Sequence, residues 1–158
     1  MIHNDVLRSV RFMLKTDDAK LTELIKLGGG KLTRPEVTAM LLRDDEPGFV
    51  LCPDEVMGQF LDGLIIFRRG KDDSKPLRPP EKRVTNNIVL KKLRVAFELK
   101  DEDIIALMAN TGFQVSKPEL SALFRAPGHH NFRPCGDQFL RNFLKGLTER
   151  VRGVPEKP

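Results

Sequence analysis

Gly112-Phe113-Gln114-Val115-Ser116-Lys117-Pro118-Glu119-Leu120 repeats an earlier stretch of the same chain, Gly29-Gly30-Lys31-Leu32-Thr33-Arg34-Pro35-Glu36-Val37. Both begin with glycine and run through an apolar residue to a hydroxyl, a base, proline and glutamate. Pro118 lies 118 − 35 = 83 residues after Pro35, and Cys135 follows Cys52 by the same offset. The offset also pairs Asn4 with Asn87, Arg11 with Arg94, Asp18 with Asp101, Phe60 with Phe143 and Gly63 with Gly146. Residues 4–70 therefore align onto 87–153 without a gap, with about 19 of 67 positions identical, which marks an internal duplication.

Each repeat reads as four helices. Asn4 and Asn87 stand where an N-cap belongs, ahead of apolar residues at helical spacing: Val6, Leu7 and Val10 in the first copy, Val89, Leu90 and Leu93 in the second. A second helix starts at Asp17 or Asp18 and at Asp101. It closes at Gly29 and Gly112, where glycine fits the left-handed conformation that ends a helix. Thr33-x-x-Glu36 and Ser116-x-x-Glu119 are capping boxes, and Pro35 and Pro118 fall in the first turn, where a missing N–H costs nothing. After a loop, a fourth helix begins near Asp54 and Asp137. The fold expected is all-α, a tandem duplication of a four-helix unit packed with pseudo-symmetry. Residues 71–86, with Pro76, Pro79 and Pro80, read as an exposed polar linker, and 154–158 as a frayed tail.

Composition bounds the function class. Hydrophobic residues make up 40% and charged residues 31%, the balance of a globular chain, and no run of ~18 apolar residues could span a membrane. The N-terminus lacks the basic and apolar segments of a signal peptide, and there are two cysteines, so a reducing cytoplasm is the expected location. The net charge of +5 is uneven: residues 4–70 carry 10 basic and 11 acidic side chains, residues 87–153 carry 11 and 7. A basic second half suits a nucleic-acid partner, and equally a soluble surface.

Few residues point to catalysis. The histidines are His3, His129 and His130, and none recurs in both copies to serve as a general base. Cys52 and Cys135 lack the close ligand spacing of a zinc site and read as small buried apolar residues. Gly28-Gly29-Gly30-Lys31 lacks the phosphate-loop pattern and follows a helix, so it reads as a helix terminator. The acidic triplet Asp44-Asp45-Glu46 lacks EF-hand spacing. No enzyme, metal or cofactor is expected. Arg11 and Arg94 are expected to lay their stems over the core and pair with a carboxylate.

The second and third helices resemble a helix-turn-helix with a slightly long turn, Gly28 to Leu32. On that reading the exposed face of the third helix presents Arg34 in the first copy and Lys117, Ser121 and Arg125 at i, i+4, i+8 in the second. These basic and hydroxyl side chains suit phosphate. The phenylalanines sit mostly at core-like positions, which argues against base stacking. The alternative is a protein-interaction module, with a protein partner or self-association. Asp44, Asp45 and Glu46 are matched by Pro127, Gly128 and His129, while Val50 and Gly58 are matched by Arg133 and Arg141, so an acidic end and a basic end could complement one another.

The repeated pattern, with Asn-x-Val-Leu, Gly29, Ser/Thr-x-Pro-Glu, Gly48-Phe49 ahead of Cys52-x-Asp54, Phe60-Leu61-x-Gly63-Leu64-Ile65 and Arg69-Gly70, resembles the bacterial YehS-like family over nearly the whole chain. That family is duplicated in the same way and classed as a domain of unknown function, so the resemblance implies fold and arrangement and no reaction. The second copy departs from the pattern at Gly146-Leu147-Thr148-Glu149-Arg150 and in its His-rich third loop. One repeat is near the lower size limit for independent stability. Residues 1–75 alone should therefore be unstable or self-associate, and cooperative monomeric unfolding at the full-length midpoint would refute shared packing.

Overall fold

The computed structural model describes residues 1–71, 74, 79 and 81–153, and these contain eight helices and no strand. The helices are α1 (His3–Met13), α2 (Asp18–Leu27), α3 (Arg34–Leu41), α4 (Asp54–Arg69), α5 (Asn86–Ala96), α6 (Asp101–Asn110), α7 (Lys117–Leu123) and α8 (Asp137–Arg152). The chain divides into two compact units, Met1–Val84 and Thr85–Pro158, each holding four helices. This is the all-α tandem duplication expected from the repeat. The tail and linker residues 72, 73, 75–78 and 80 lie outside the described residues.

Local signals set most boundaries. Asp17 caps α2 by accepting the Lys20 N–H at 3.0 Å. Both capping boxes form: Glu36 accepts the Thr33 N–H at 3.0 Å, and Glu119 accepts the Ser116 N–H at 3.2 Å. Gly29 and Gly112 take φ of 97° and 82°. The next residues, Gly30 and Phe113, reach back to the carbonyls of Ile25 and Met108, which completes a Schellman closure in each unit. The first helices end the same way, at Lys15 and Glu98, both at φ 53°. Thr16 and Leu99 then donate back to Arg11 and Arg94. These are matching positions in the two repeats, and neither is glycine.

The asparagines do not cap. Ile2 and Thr85 are the N-cap residues, which places Asn4 and Asn87 one residue inside their helices. From there Asn4 Nδ2 donates to the carbonyls of Met40 and Val50, each at 2.9 Å, and its Oδ1 accepts the Cys52 N–H at 2.9 Å. Asn87 repeats the set with Leu123, Arg133 and Cys135 at 2.9, 2.9 and 2.8 Å. The side chain thus fastens the end of the third helix and the loop behind it, a task that outweighs capping because those loop groups have no helix to satisfy them.

The linker reading also needs correction at its end. Val84 is buried, and a Cβ on Gly58 of α4 would sit 3.7 Å from its Cγ2, so residues 81–84 pack on α4. Asn86 already belongs to α5. A fragment cut at residue 75 leaves out Val84, so the fair test of whether the first unit folds alone ends at residue 84.

In the first unit α2 and α4 touch backbone to backbone. A Cβ on Gly63 would lie 1.7 Å from the Leu24 carbonyl oxygen, and one on Gly28 would lie 1.8 Å from that of Gln59. The second unit keeps Gly146 but has Thr111 in place of Gly28, and α6 and α8 stand further apart: a Cβ on Gly146 would be 2.5 Å from the Leu107 oxygen. Gly63→Ala should therefore lower stability by about 3 kcal/mol or more, and Gly146→Ala by less, about 1–2 kcal/mol, since overpacking costs grow with the shift demanded. Urea unfolding of both variants measures the ordering, and equal losses would contradict it.

Candidate nucleic-acid interface

The short helix α7 is built for one-sided exposure. Ser116 caps it, Pro118 lies in its first turn, and Leu120, Ala122 and Leu123 turn inward. Lys117 and Ser121 are exposed on its outer side. The helix ends at Leu123, so Arg125 falls beyond it rather than on a third turn of the same face. Even so, Lys117, Ser121 and Arg125 line one groove of about 1090 Å³. Arg34 is not among them. It occupies the first turn of α3 in the other unit, where with Arg11 it helps hold the Asp18 carboxyl below its usual range, after the larger effect of the Thr38 hydroxyl.

The facing wall of the groove is the segment His130–Pro134. Its position is fixed through backbone. Arg133 donates its N–H to the Ala122 carbonyl at 3.1 Å, and its own carbonyl accepts from Asn87. These two bonds hold the Arg133 backbone beside α7, and its charge reaches Glu119 on that helix. Phe113, Val115, Phe132 and Phe139 also line the groove. Phe113 and Phe132 are half-buried, and Phe113 meets Phe139 edge-on at 5.5 Å between centroids. The expectation that most phenylalanines occupy core positions holds for Phe60, Phe139 and Phe143 and fails elsewhere: Phe12 and Phe67 are exposed, and Phe113 and Phe132 are half-buried outside any helix. His129 and His130 stack at 4.5 Å with planes 19° apart, and His130 lines the groove.

The groove contains one carboxylate, Glu119. The Ser116 hydroxyl, then the Ser116 backbone N–H and the nearby Arg133, hold its pKa below the usual glutamate value. Because the folded value is depressed, the capping contribution is present at neutral pH and fades as pH falls through that lowered value. Arg94 behaves as its sequence suggested, bridging Asp101 at 2.7 Å and lying 4.6 Å over the Phe124 ring. In the first unit Asp18 accepts from Thr38 instead. Thr38 corresponds to Ser121, so the hydroxyl engaged by Asp18 in one repeat borders the groove in the other.

The same face of the first unit has another character. Where the second unit has Arg125 and Arg133, the first has Leu42 and Val50. Val50 and Leu51 are 47% and 58% exposed, and Asp44, Asp45 and Glu46 lie exposed on the same connection. The helix-turn-helix likeness is loose: Gly28–Thr33 and Thr111–Ser116 separate the helices, longer than the three or four residues usual for that turn. Among the described residues no group of three or more His, Cys, Asp and Glu is arranged to hold a metal.

Cys52 and Cys135 are buried at the loop ends that the asparagines fasten. Burial, reinforced by Asp54 and Asp137, pushes both thiols up to about 12, so neither is a nucleophile at neutral pH. An Ellman reagent should leave both unmodified in the native protein and react with both in denaturant. Fast native labelling of either would contradict this burial.

Comparison with known proteins agrees with the repeat. Residues 3–70 and 86–153 each match the family described as "Protein of unknown function (DUF1456)". The chain is 52% identical over 150 residues to "Uncharacterized protein YehS" of Escherichia coli strain K12, covering 95% of this chain and 96% of that protein. No solved structure matches it. Among the described residues no helix is long and apolar enough to cross a membrane. With both repeats matched, the chain belongs to the DUF1456 family, in two copies.

Proposed function

We propose that this protein is a non-catalytic binding module whose second unit holds a nucleic-acid backbone in the groove between α7 and the segment His130–Pro134. The supporting observation is convergence. Lys117, Ser121 and Arg125 border one groove and meet Arg133 across it. Three cations and a hydroxyl along a concave wall match what phosphate contacts require, and the excess of basic side chains in the second repeat would draw a polyanion toward it. The non-catalytic part of the reading is supported by the chemistry of the site. Its carboxylate is engaged in a helix cap, and both thiols are protonated.

The second reading, a protein-interaction module without nucleic-acid affinity, is supported by the first unit. There the exposed Val50 and Leu51 sit on a connection rimmed by acids. Salt dependence separates the two. With Lys117, Arg125 and Arg133 on phosphates, log affinity for a single strand should fall with log salt at a slope of about −2. Lys117→Ala with Arg125→Ala should reduce that slope by about 1.4 and weaken binding roughly tenfold at low salt, leaving the fold intact. Absence of binding at ~50 mM salt to DNA and RNA alike would leave the protein-interaction reading in its place.

A further inference from the structure

We infer that the groove takes single-stranded nucleic acid, with bases laid against Phe132, Phe113 and His130 and phosphates on Lys117, Arg125 and Arg133. This rests on the nucleic-acid reading above and names the state of the strand. The shape of the site is the first argument. A duplex is read by an element that protrudes into a groove about 12 Å wide. Here the basic residues line a concavity, and the helix among them has seven residues. A concave site can receive a strand whose bases turn outward, and cannot enter the groove of a duplex.

The floor is the second argument. Phosphate binding alone has no use for apolar surface, yet Phe113, Val115, Phe132 and Phe139 line the same groove as the cations. Flat π-faces are the ligand chemistry that such a floor accepts, and every base supplies one. His130 adds to it. The inner ring of the imidazole pair is held because His129 Nδ1 accepts the Asn131 N–H at 3.0 Å. His130 is exposed on the groove side of that stack, so a base placed on it would extend an existing column.

Comparison of the repeats is the third. At the places of Phe113, Arg125, His130 and Arg133 the first unit has Gly30, Leu42, Pro47 and Val50. It keeps Phe49 and Arg34 in the places of Phe132 and Lys117 but lacks the other ring, the imidazole and two of the three cations, so the full set occurs in the second unit alone.

The test uses the full chain and fluorescence anisotropy with four labelled probes of ~10 nucleotides: oligouridylate, oligothymidylate, an abasic strand with the same phosphates, and a duplex. The base-bearing single strands should bind about tenfold or more tighter than the abasic strand, and tighter than the duplex. His130→Ala and Phe132→Leu should remove most of the base-dependent part and leave abasic binding unchanged. His130 is exposed, so its variant keeps the test valid if Phe132→Leu disturbs the fold. Equal binding of abasic and base-bearing strands, or preference for the duplex, overturns the single-strand assignment while the nucleic-acid reading stands. Binding of none of the four overturns both.

Discussion

One asparagine side chain in each unit, fully buried in the first and half-buried in the second, holds the rest in place. The connection between the third and fourth helices has no regular structure and runs largely exposed, and where it returns to the core at Cys52 its backbone groups need partners. Asn4 and Asn87 supply three each, and Asn4 does so with no exposure to solvent. A buried backbone group left without its partner costs about 1–3 kcal/mol, so the amide governs a larger share of stability than its size suggests. It also governs geometry. The same bond that fastens Asn87 to the Arg133 carbonyl fixes one wall of the basic groove. The neighbouring position reinforces the clasp: His3 meets Asp54 at 2.6 Å, and Asn86 donates to Asp137 at 2.8 Å, which ties the first helix of each unit to the start of its last.

The two repeats keep this clasp and differ around it. The first closes α2 against α4 through a pair of glycines, whereas the second has one glycine and a threonine and admits more space. Outside the core the divergence is chemical. Acids and exposed aliphatics occupy the outer face of the first unit, and cations with half-buried rings occupy that of the second. A common scaffold thus carries two surfaces of opposite sign.

The fold was legible in the sequence because its signals are local or repeated. The capping boxes, the closing glycines and the offset between copies each lie within a few residues or recur at a fixed spacing. The role of Asn4 was not legible. An asparagine ahead of an apolar run satisfies every local rule for an N-cap, and its real partners lie 36, 46 and 48 residues away. The groove was half legible. Helical spacing grouped Lys117, Ser121 and Arg125, although the helix stops before the third of them. Arg133, His130 and the two open phenylalanines lie in irregular segments, where periodicity carries no information about exposure. Arg34 was grouped with them by analogy between repeats, and its surroundings in the first unit tie it to Asp18 instead. Val84 was hidden by its proline-rich approach.

The left-handed residues that end the first helix of each unit separate what the repeats share from what they do not. Lys15 and Glu98 share a rare backbone conformation at matching places, with side chains of opposite charge. Non-glycine residues adopt it at a cost of roughly 1–2 kcal/mol, so two independent origins at one site are a poor account of the match. The bend was present in the ancestral single unit and was copied with it. At least one of the two side chains has changed since, because one is Lys and the other Glu. The backbone conformation at this bend is thus shared between the units while the side chains on it are not. Around that shared backbone the groove is partly common property: Lys117 and Phe132 are matched by Arg34 and Phe49, whereas Arg125 and Arg133 face Leu42 and Val50 at the matching places.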